Sequence, residues 1–190
     1  MDEFGSGLPK RRLGLILAGC VLAVFVGCGP QLVVGRTDPG LSYGGPLLLY
    51  RGEPFSGLLE TELGAPGAVR RTPFVDGRPD GTEREWYNDE QLSAEGAYES
   101  GKKTGVHQGW FPDGSQRFWY EYQNGELHGE MWEWYPNGNL ASYARMYRGH
   151  LVGKKKWRAD GQIYANYVLR GNRVVGLPGS RLCNAVRAPL

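Results

Sequence analysis

Cysteine is scarce in this 190-residue chain, which holds only Cys20, Cys28 and Cys183. Two of the three fall within the first 28 residues, so the rest of the chain cannot rest on a disulfide framework. Helical periodicity is also missing. No stretch after residue 30 keeps an apolar stripe at 3.6-residue spacing for three turns, which leaves little room for helix. Familiar catalytic signatures are absent as well: there is no HExxH, CxxC, phosphate loop or GxSxG. Histidine is rare, and its three copies, His107, His128 and His150, fall at different offsets from the nearest preceding repeat glycine. No metal site is expected from them, and no cofactor. Glu83 and Glu85 have the i, i+2 spacing that puts two carboxylates on one strand face, but solvated charge explains them better than an acid/base pair. The chain reads as non-catalytic.

Glycine is what the chain has in quantity: 30 residues, beside 12 prolines, with all six tryptophans between Trp86 and Trp157. Gly77, Gly101, Gly125 and Gly149 recur every 24 residues, and each is followed four residues later by Gly81, Gly105, Gly129 or Gly153. Trp86, Trp110 and Trp134 follow the first three leading glycines at a constant offset, each with an aromatic neighbour. Turn residues come next: Asn88-Asp89, Asp113-Gly114 and Asn137-Gly138. A fixed period of this length marks a repeat protein, whose units bury apolar surface only against their neighbours.

After each turn, small or apolar residues alternate with the rest: Ala94, Gly96 and Tyr98; Phe118, Tyr120 and Tyr122; Ser142, Ala144 and Met146; Ala165, Tyr167 and Leu169. Period-two alternation across Asn-Gly or Asp-Gly predicts a β-hairpin with a type I′ turn. The expected fold is therefore all-β: an elongated, single-layer antiparallel sheet of consecutive 24-residue hairpins. In this reading Trp86, Trp110 and Trp134 stack as a ladder along one face, and the Gly-x-x-x-Gly segment turns the chain into the next hairpin.

The N-terminus is a separate object. Lys10-Arg11-Arg12 precedes an uncharged, largely apolar run from Leu13 to Gly27, which fits a secretory signal over residues 1–27. The run ends at Phe25-Val26-Gly27-Cys28 and resembles a bacterial lipobox, with Cys28 as the acylated first residue of the mature chain. Leu17-Ala18-Gly19-Cys20 is an alternative box, but it leaves a short apolar run before it and strands Val21 to Val26 on the mature protein. An uncleaved anchor is the remaining reading. Residues 28–49 are expected to form a lipidated, flexible tether, residues 50–73 a degenerate first repeat with an irregular insertion, and residues 74–175 the regular hairpins. Residues 176–190 are expected to cap the last strand, with Cys183 as a small buried residue.

GKKTGVHQGWFPDGSQ (Gly101 to Gln116) and GELHGEMWEWYPNGNL (Gly125 to Leu140) closely resemble bacterial variants of the MORN (membrane occupation and recognition nexus) repeat. Turn residue Glu90, the loose first unit and the shortened last unit depart from that pattern. The resemblance implies a hairpin array used for protein interaction, self-association or membrane-lipid contact. Some bacterial members carry an antitoxin label, which implies an inhibitory partner of a neighbouring gene product.

Charge is unevenly spread. Asp76 to Glu99 holds eight acidic and two basic residues, whereas Arg145 to Arg187 holds ten basic and one acidic. Lys154, Lys156 and Arg158, with Arg145, Arg148, Arg170 and Arg173, are the candidate contact surface for anionic phospholipid headgroups or an acidic protein. Trp110, Trp119 and Trp132 are the candidate aromatic surface. Head-to-tail pairing of the two charged ends is a further option, and nucleic acid is a poor fit for an exported protein. The sequence therefore reads as a membrane-anchored envelope lipoprotein whose repeat array is an interaction module. A lipid-contacting, membrane-organising protein and an antitoxin-like partner are the alternatives. Mass spectrometry of the mature N-terminus should find an acylated Cys28. Cys28→Ser should stall or release the protein, Cys20→Ser should be nearly silent, and an exported chain beginning at Met1 would refute the lipobox.

Overall fold

A computed structural model describes residues 31–179, apart from residue 89. The expected signal segment and the residues Cys20, Cys28 and Cys183 lie outside the described residues. Every regular element among those described is a strand. In chain order they are β1 (Val33–Gly35), β2 (Leu41–Gly44), β3 (Leu47–Tyr50), β4 (Glu53–Pro54), β5 (Gly57–Glu62) and β6 (Val69–Val75). There follow β7 (Arg78–Pro79), β8 (Gly81–Trp86), β9 (Leu92–Glu99), β10 (Lys102–Trp110) and β11 (Gln116–Gln123). The last five are β12 (Glu126–Trp134), β13 (Leu140–Tyr147), β14 (His150–Trp157), β15 (Ile163–Arg170) and β16 (Arg173–Leu177). One long sheet runs in the order β1-β5-β6-β8 and then strand by strand to β16, with β7 paired to β6. Its pairs are antiparallel except β1 with β5. This is the all-β array of consecutive hairpins that the 24-residue spacing predicts, open at both ends.

The turn chemistry differs from the sequence reading. Two consecutive positive φ angles, the mark of a type I′ turn, occur at Arg51-Gly52, Asp76-Gly77, Ser100-Gly101, Asn124-Gly125 and Arg148-Gly149. The last four hold the leading glycines. At Asp113-Gly114, Asn137-Gly138 and Asp160-Gly161 only the glycine has positive φ. There the loop is wider, closed for example by Gly138 N–H donating to Tyr135 O (2.9 Å) and Tyr135 N–H to Asn139 O (2.8 Å). A bulge follows, so Trp134 stands opposite Leu140 while Glu133 stands opposite Ser142. Each Gly-x-x-x-Gly segment thus holds a tight turn and the first residues of the next strand.

In a two-residue turn the amide of the second central residue points away from its own hairpin and needs an outside acceptor. The preceding hairpin supplies one. Gly77, Gly101, Gly125 and Gly149 donate to the carbonyls of Phe55, Pro79, Lys103 and Leu127, at 2.8, 2.7, 2.9 and 2.9 Å. At the opposite edge the Tyr87 hydroxyl donates to Trp110 O (2.9 Å) and the Tyr135 hydroxyl to Trp157 O (3.0 Å). The 24-residue period is therefore the spacing at which both edges of one hairpin meet the next.

Three expectations need correction. The flexible tether is ordered from β1 onward. Val34 and Leu48 are buried with Phe55 and Leu59, and Leu41, Tyr50 and Phe74 pack against them. The glycines and prolines of this stretch mark tight turns between short apolar strands that have an apolar cluster to join. Residues 57–75 are no irregular insertion but the hairpin β5–β6, whose loop takes positive φ at Gly64 and Gly67. The tryptophan ladder does not form either. Trp86, Trp110 and Trp134 sit on β8, β10 and β12 with a strand between each pair, about 10 Å apart by strand spacing, which is too far for ring contact.

Beyond the N-terminal cluster the array has little core, and Val69, Ala144 and Ala165 are its buried apolar residues. Cross-strand pairs and the ties between hairpins carry its stability. Tyr135→Phe should therefore cost about 1 kcal/mol in urea denaturation. Phe111→Tyr should recover a similar amount, because Phe111 is the one aromatic at this repeat position without a hydroxyl. Unchanged midpoints for both variants would show that the edge ties carry no stability.

Candidate functional site

Opposite residues of paired strands share a face, so the register divides the candidate residues. Lys154 and Lys156 stand opposite Ala144 and Ser142 on one side and Tyr167 and Ala165 on the other. Lys155 is on the reverse face, with Arg145 opposite its neighbour Gly153, and Arg170 and Arg173 face each other across the last turn. Arg148 is a type I′ turn residue. Arg158 does not continue the Lys154/Lys156 face as the sequence suggested. It lies beyond the end of β14, begins the wide turn and donates its N–H to Gln162 O (2.8 Å).

The basic group is thus spread over both faces and both edges of β13–β16. Its charge is unbalanced. The three ion pairs among the described residues are Arg70–Glu85 (2.5 Å), Arg71–Glu60 (2.8 Å) and Arg84–Glu95 (3.3 Å). All lie at the other end of the sheet, where β6 arginines offset part of the acidic charge. None of the cations on β13–β16 has such a partner among the described residues.

The aromatic candidates also separate. Trp119 stands directly opposite Trp132, and Trp132 opposite Tyr143, forming a row across β11, β12 and β13. Trp132 is 4.4 Å from Tyr143 and 6.4 Å from Trp134, centroid to centroid, with the two indoles inclined by 24°. Trp119, Trp132, Trp134, Leu140 and Glu130 line a shallow depression of about 490 Å³. Glu130 is held at its rim, accepting from Trp132 Nε1 (3.1 Å) and the Tyr143 hydroxyl (3.1 Å). Trp110 is not among the residues lining it. Sequence reading missed Trp134, Tyr143 and Glu130, since they occupy different repeat positions and only the cross-strand register assembles them.

The opposite face carries a polar cluster. His107 is buried between Tyr98 (5.7 Å) and Tyr122 (4.7 Å), lying on Gly96 where a Cβ would overlap the ring. Its Nε2 is 2.9 Å from Ala97 O and therefore carries the proton. Glu83 accepts from Thr72 Oγ1 (2.6 Å), and Glu85 pairs with Arg70. Both carboxylates are thus half-buried and partnered rather than merely solvated. Tyr120 donates to Glu133 (2.6 Å), and burial together with that carboxylate raises its pKa. Burial pushes Tyr98 up to about 12, with Glu83 adding to the effect. The cavity over this cluster is only about 150 Å³.

No family model matches the chain, and no curated protein matches it. Among solved structures, TarM shares 12% identity at a TM-score of 0.33, covering 60% of this chain and 22% of TarM. An S. aureus TarM point mutant in complex with fondaparinux, α-GlcNAc-glycerol and UDP shares 13% identity at 0.32, covering 63% of this chain and 21% of that one. The chain spans about a fifth of the length of these proteins. Likeness at this level carries no argument about fold or function.

Burial lowers the His107 pKa below its ordinary value, Lys103 adds to the effect, and the Ala97 carbonyl opposes it. The folded state thus keeps His107 neutral while the unfolded chain takes up a proton as pH falls through about 6.5. The unfolded state binds more protons in that window, so this contribution is complete above it and is lost as pH falls toward the depressed folded value. Urea midpoints should drop on the acid side of neutrality, and His107→Phe should flatten part of that drop. An identical pH profile in the variant would remove His107 as a cause.

Proposed function

We propose that this chain is an exported envelope lipoprotein, anchored through Cys28, whose MORN-type hairpin array is a non-catalytic protein-interaction module. The aromatic row Trp119–Trp132–Tyr143 carries this reading. Large rings on an open sheet face, held in place by cross-strand packing and by hydrogen bonds to Glu130, are the residues that anchor protein contacts. An array that binds through a face needs no closed pocket. The signal-like N-terminus and the lipobox resemblance support export, and the repeat resemblance supports a binding role.

A second reading follows from the cations of β13–β16, which make no ion pair among the described residues. Near a membrane such a group favours anionic headgroups by about 1 kcal/mol per residue, and salt weakens the attraction. One pulldown from native membranes separates the two readings. Under the module reading, the full chain recovers a stoichiometric protein partner, and Trp119→Ala with Trp132→Ala abolishes the capture. Under the headgroup reading, no protein is recovered. The chain then binds anionic liposomes, and Lys154→Ser, Lys156→Ser and Arg158→Ser together weaken that binding with the β signature intact. Neither a partner nor liposome binding would defeat both readings.

A further inference from the structure

We infer that the depression formed by Trp119, Trp132 and Trp134 takes an arginine side chain presented by the partner protein. This inference deepens the interaction-module reading and rests on it. The first ground is how this molecule treats its aromatic rings elsewhere. Lys or Arg of the chain itself sits over eight rings at 5.1 to 5.8 Å, among them Trp86 under Arg71 and Trp157 under Lys155. Neither the three tryptophans of the depression nor Tyr143 has such a cation among the described residues. They have a carboxylate instead, Glu130, at the edge of the rings.

Local charge is the second ground. On the face of the depression, β11 and β12 carry Glu121, Glu126 and Glu130 against Arg117, and Lys155, opposite Tyr143 in register, lies over Trp157 instead. Arg117 is engaged with Phe118 and the Tyr87 hydroxyl. Arg145 is opposite Glu130 in register, yet it neither pairs with that carboxylate nor lies over a ring. Ring faces are electron-rich and attract cations most strongly where water is partly excluded. A depression of electron-rich faces beside a carboxylate is therefore complementary to a cation and repels an anion.

Geometry selects the kind of cation. Trp132 and Trp134 present nearly parallel planes, which suit a flat group better than a tetrahedral ammonium. A guanidinium is flat, stacks on aromatic faces and donates in a fork to a carboxylate. Each Glu130 oxygen already accepts one bond, from Trp132 or from Tyr143, and each keeps a further lone pair for an incoming N–H. Those same two bonds hold the carboxylate in place before the ligand arrives, which reduces the ordering cost of binding.

The test follows the indole N–H signals of the full chain by ¹⁵N NMR during titration with acetyl-arginine amide, tetramethylammonium, or a trimer of N-acetylglucosamine. Acetyl-arginine amide should shift the Trp132 and Trp134 signals saturably, and more tightly than tetramethylammonium. Glu130→Gln, which keeps the shape of the side chain, should weaken binding several-fold. Trp132→Ala should weaken it roughly three- to thirty-fold, the scale of a cation over an indole. Arg145→Ala should tighten it by removing a like charge. Stronger shifts with the sugar trimer or with tetramethylammonium overturn the assignment, as does binding indifferent to Glu130→Gln. The two proposals fail separately. A membrane partner captured equally well by Trp132→Ala defeats the arginine site and leaves the module standing, while saturable arginine binding with no captured partner does the reverse.

Discussion

The amide of each leading glycine ties one hairpin to the hairpin before it, and much of the array depends on that tie. A type I′ turn aims this N–H outward, where it would otherwise be left to water. Donation to a carbonyl 22 residues earlier, repeated at Gly77, Gly101, Gly125 and Gly149, sets the offset between successive hairpins. Where the tyrosine hydroxyl is present, the opposite edge is tied as well, through Tyr87 and Tyr135. A sheet held along both edges can do without a packed second layer, and burial in this chain reflects that. Its apolar cluster of Val34, Leu48, Phe55 and Leu59 lies at the N-terminal end, while most of the array is half-buried.

A sheet with so little core leaves its faces for other uses, and the two faces differ in chemistry. One holds the tyrosine–histidine cluster around His107 with its partnered carboxylates; the other holds the tryptophan depression with Glu130. Charge adds a second asymmetry, along the strand order rather than through the sheet. Ion pairs gather at the β5–β9 end, while the cations of β13–β16 make none among the described residues. The edge strand β16 is exposed throughout, with Val174, Val175 and Leu177 each about half exposed.

Much of the fold was legible because it is written in backbone terms. Glycine at positive φ and period-two alternation are local requirements, so the hairpins and their order follow from the residues themselves. The candidate sites were harder to see. Trp119 and Trp132 stood out as aromatics, but of the residues that complete their group only Tyr143 shares a repeat position with either, and Trp134 and Glu130 belong to other positions. Trp110 shares a repeat position with Trp134 and yet is absent from the depression. The charge of the basic segment was visible in the sequence, whereas its division between faces and turns was not. Strand β14 ends at Trp157, so Arg158 belongs to the turn rather than to the strand face.

By itself the sequence determined the all-β class, the period of the hairpins from Gly77 onward and the direction of the charge asymmetry, since each depends on residues close together in the chain. Only the tertiary structure decided which side chains meet. Register is set between strands, and one bulged residue moves the residues after it relative to the partner strand. The expected tryptophan ladder failed because equivalent residues of successive two-stranded hairpins lie two strands apart. Register between neighbouring strands likewise sets Trp132 of β12 between Trp119 and Tyr143, which share a repeat position on β11 and β13. The expected tether became part of the sheet for a related reason: its short apolar strands have value only where Phe55 and Leu59 are there to meet them, and nothing near them in sequence announces that contact.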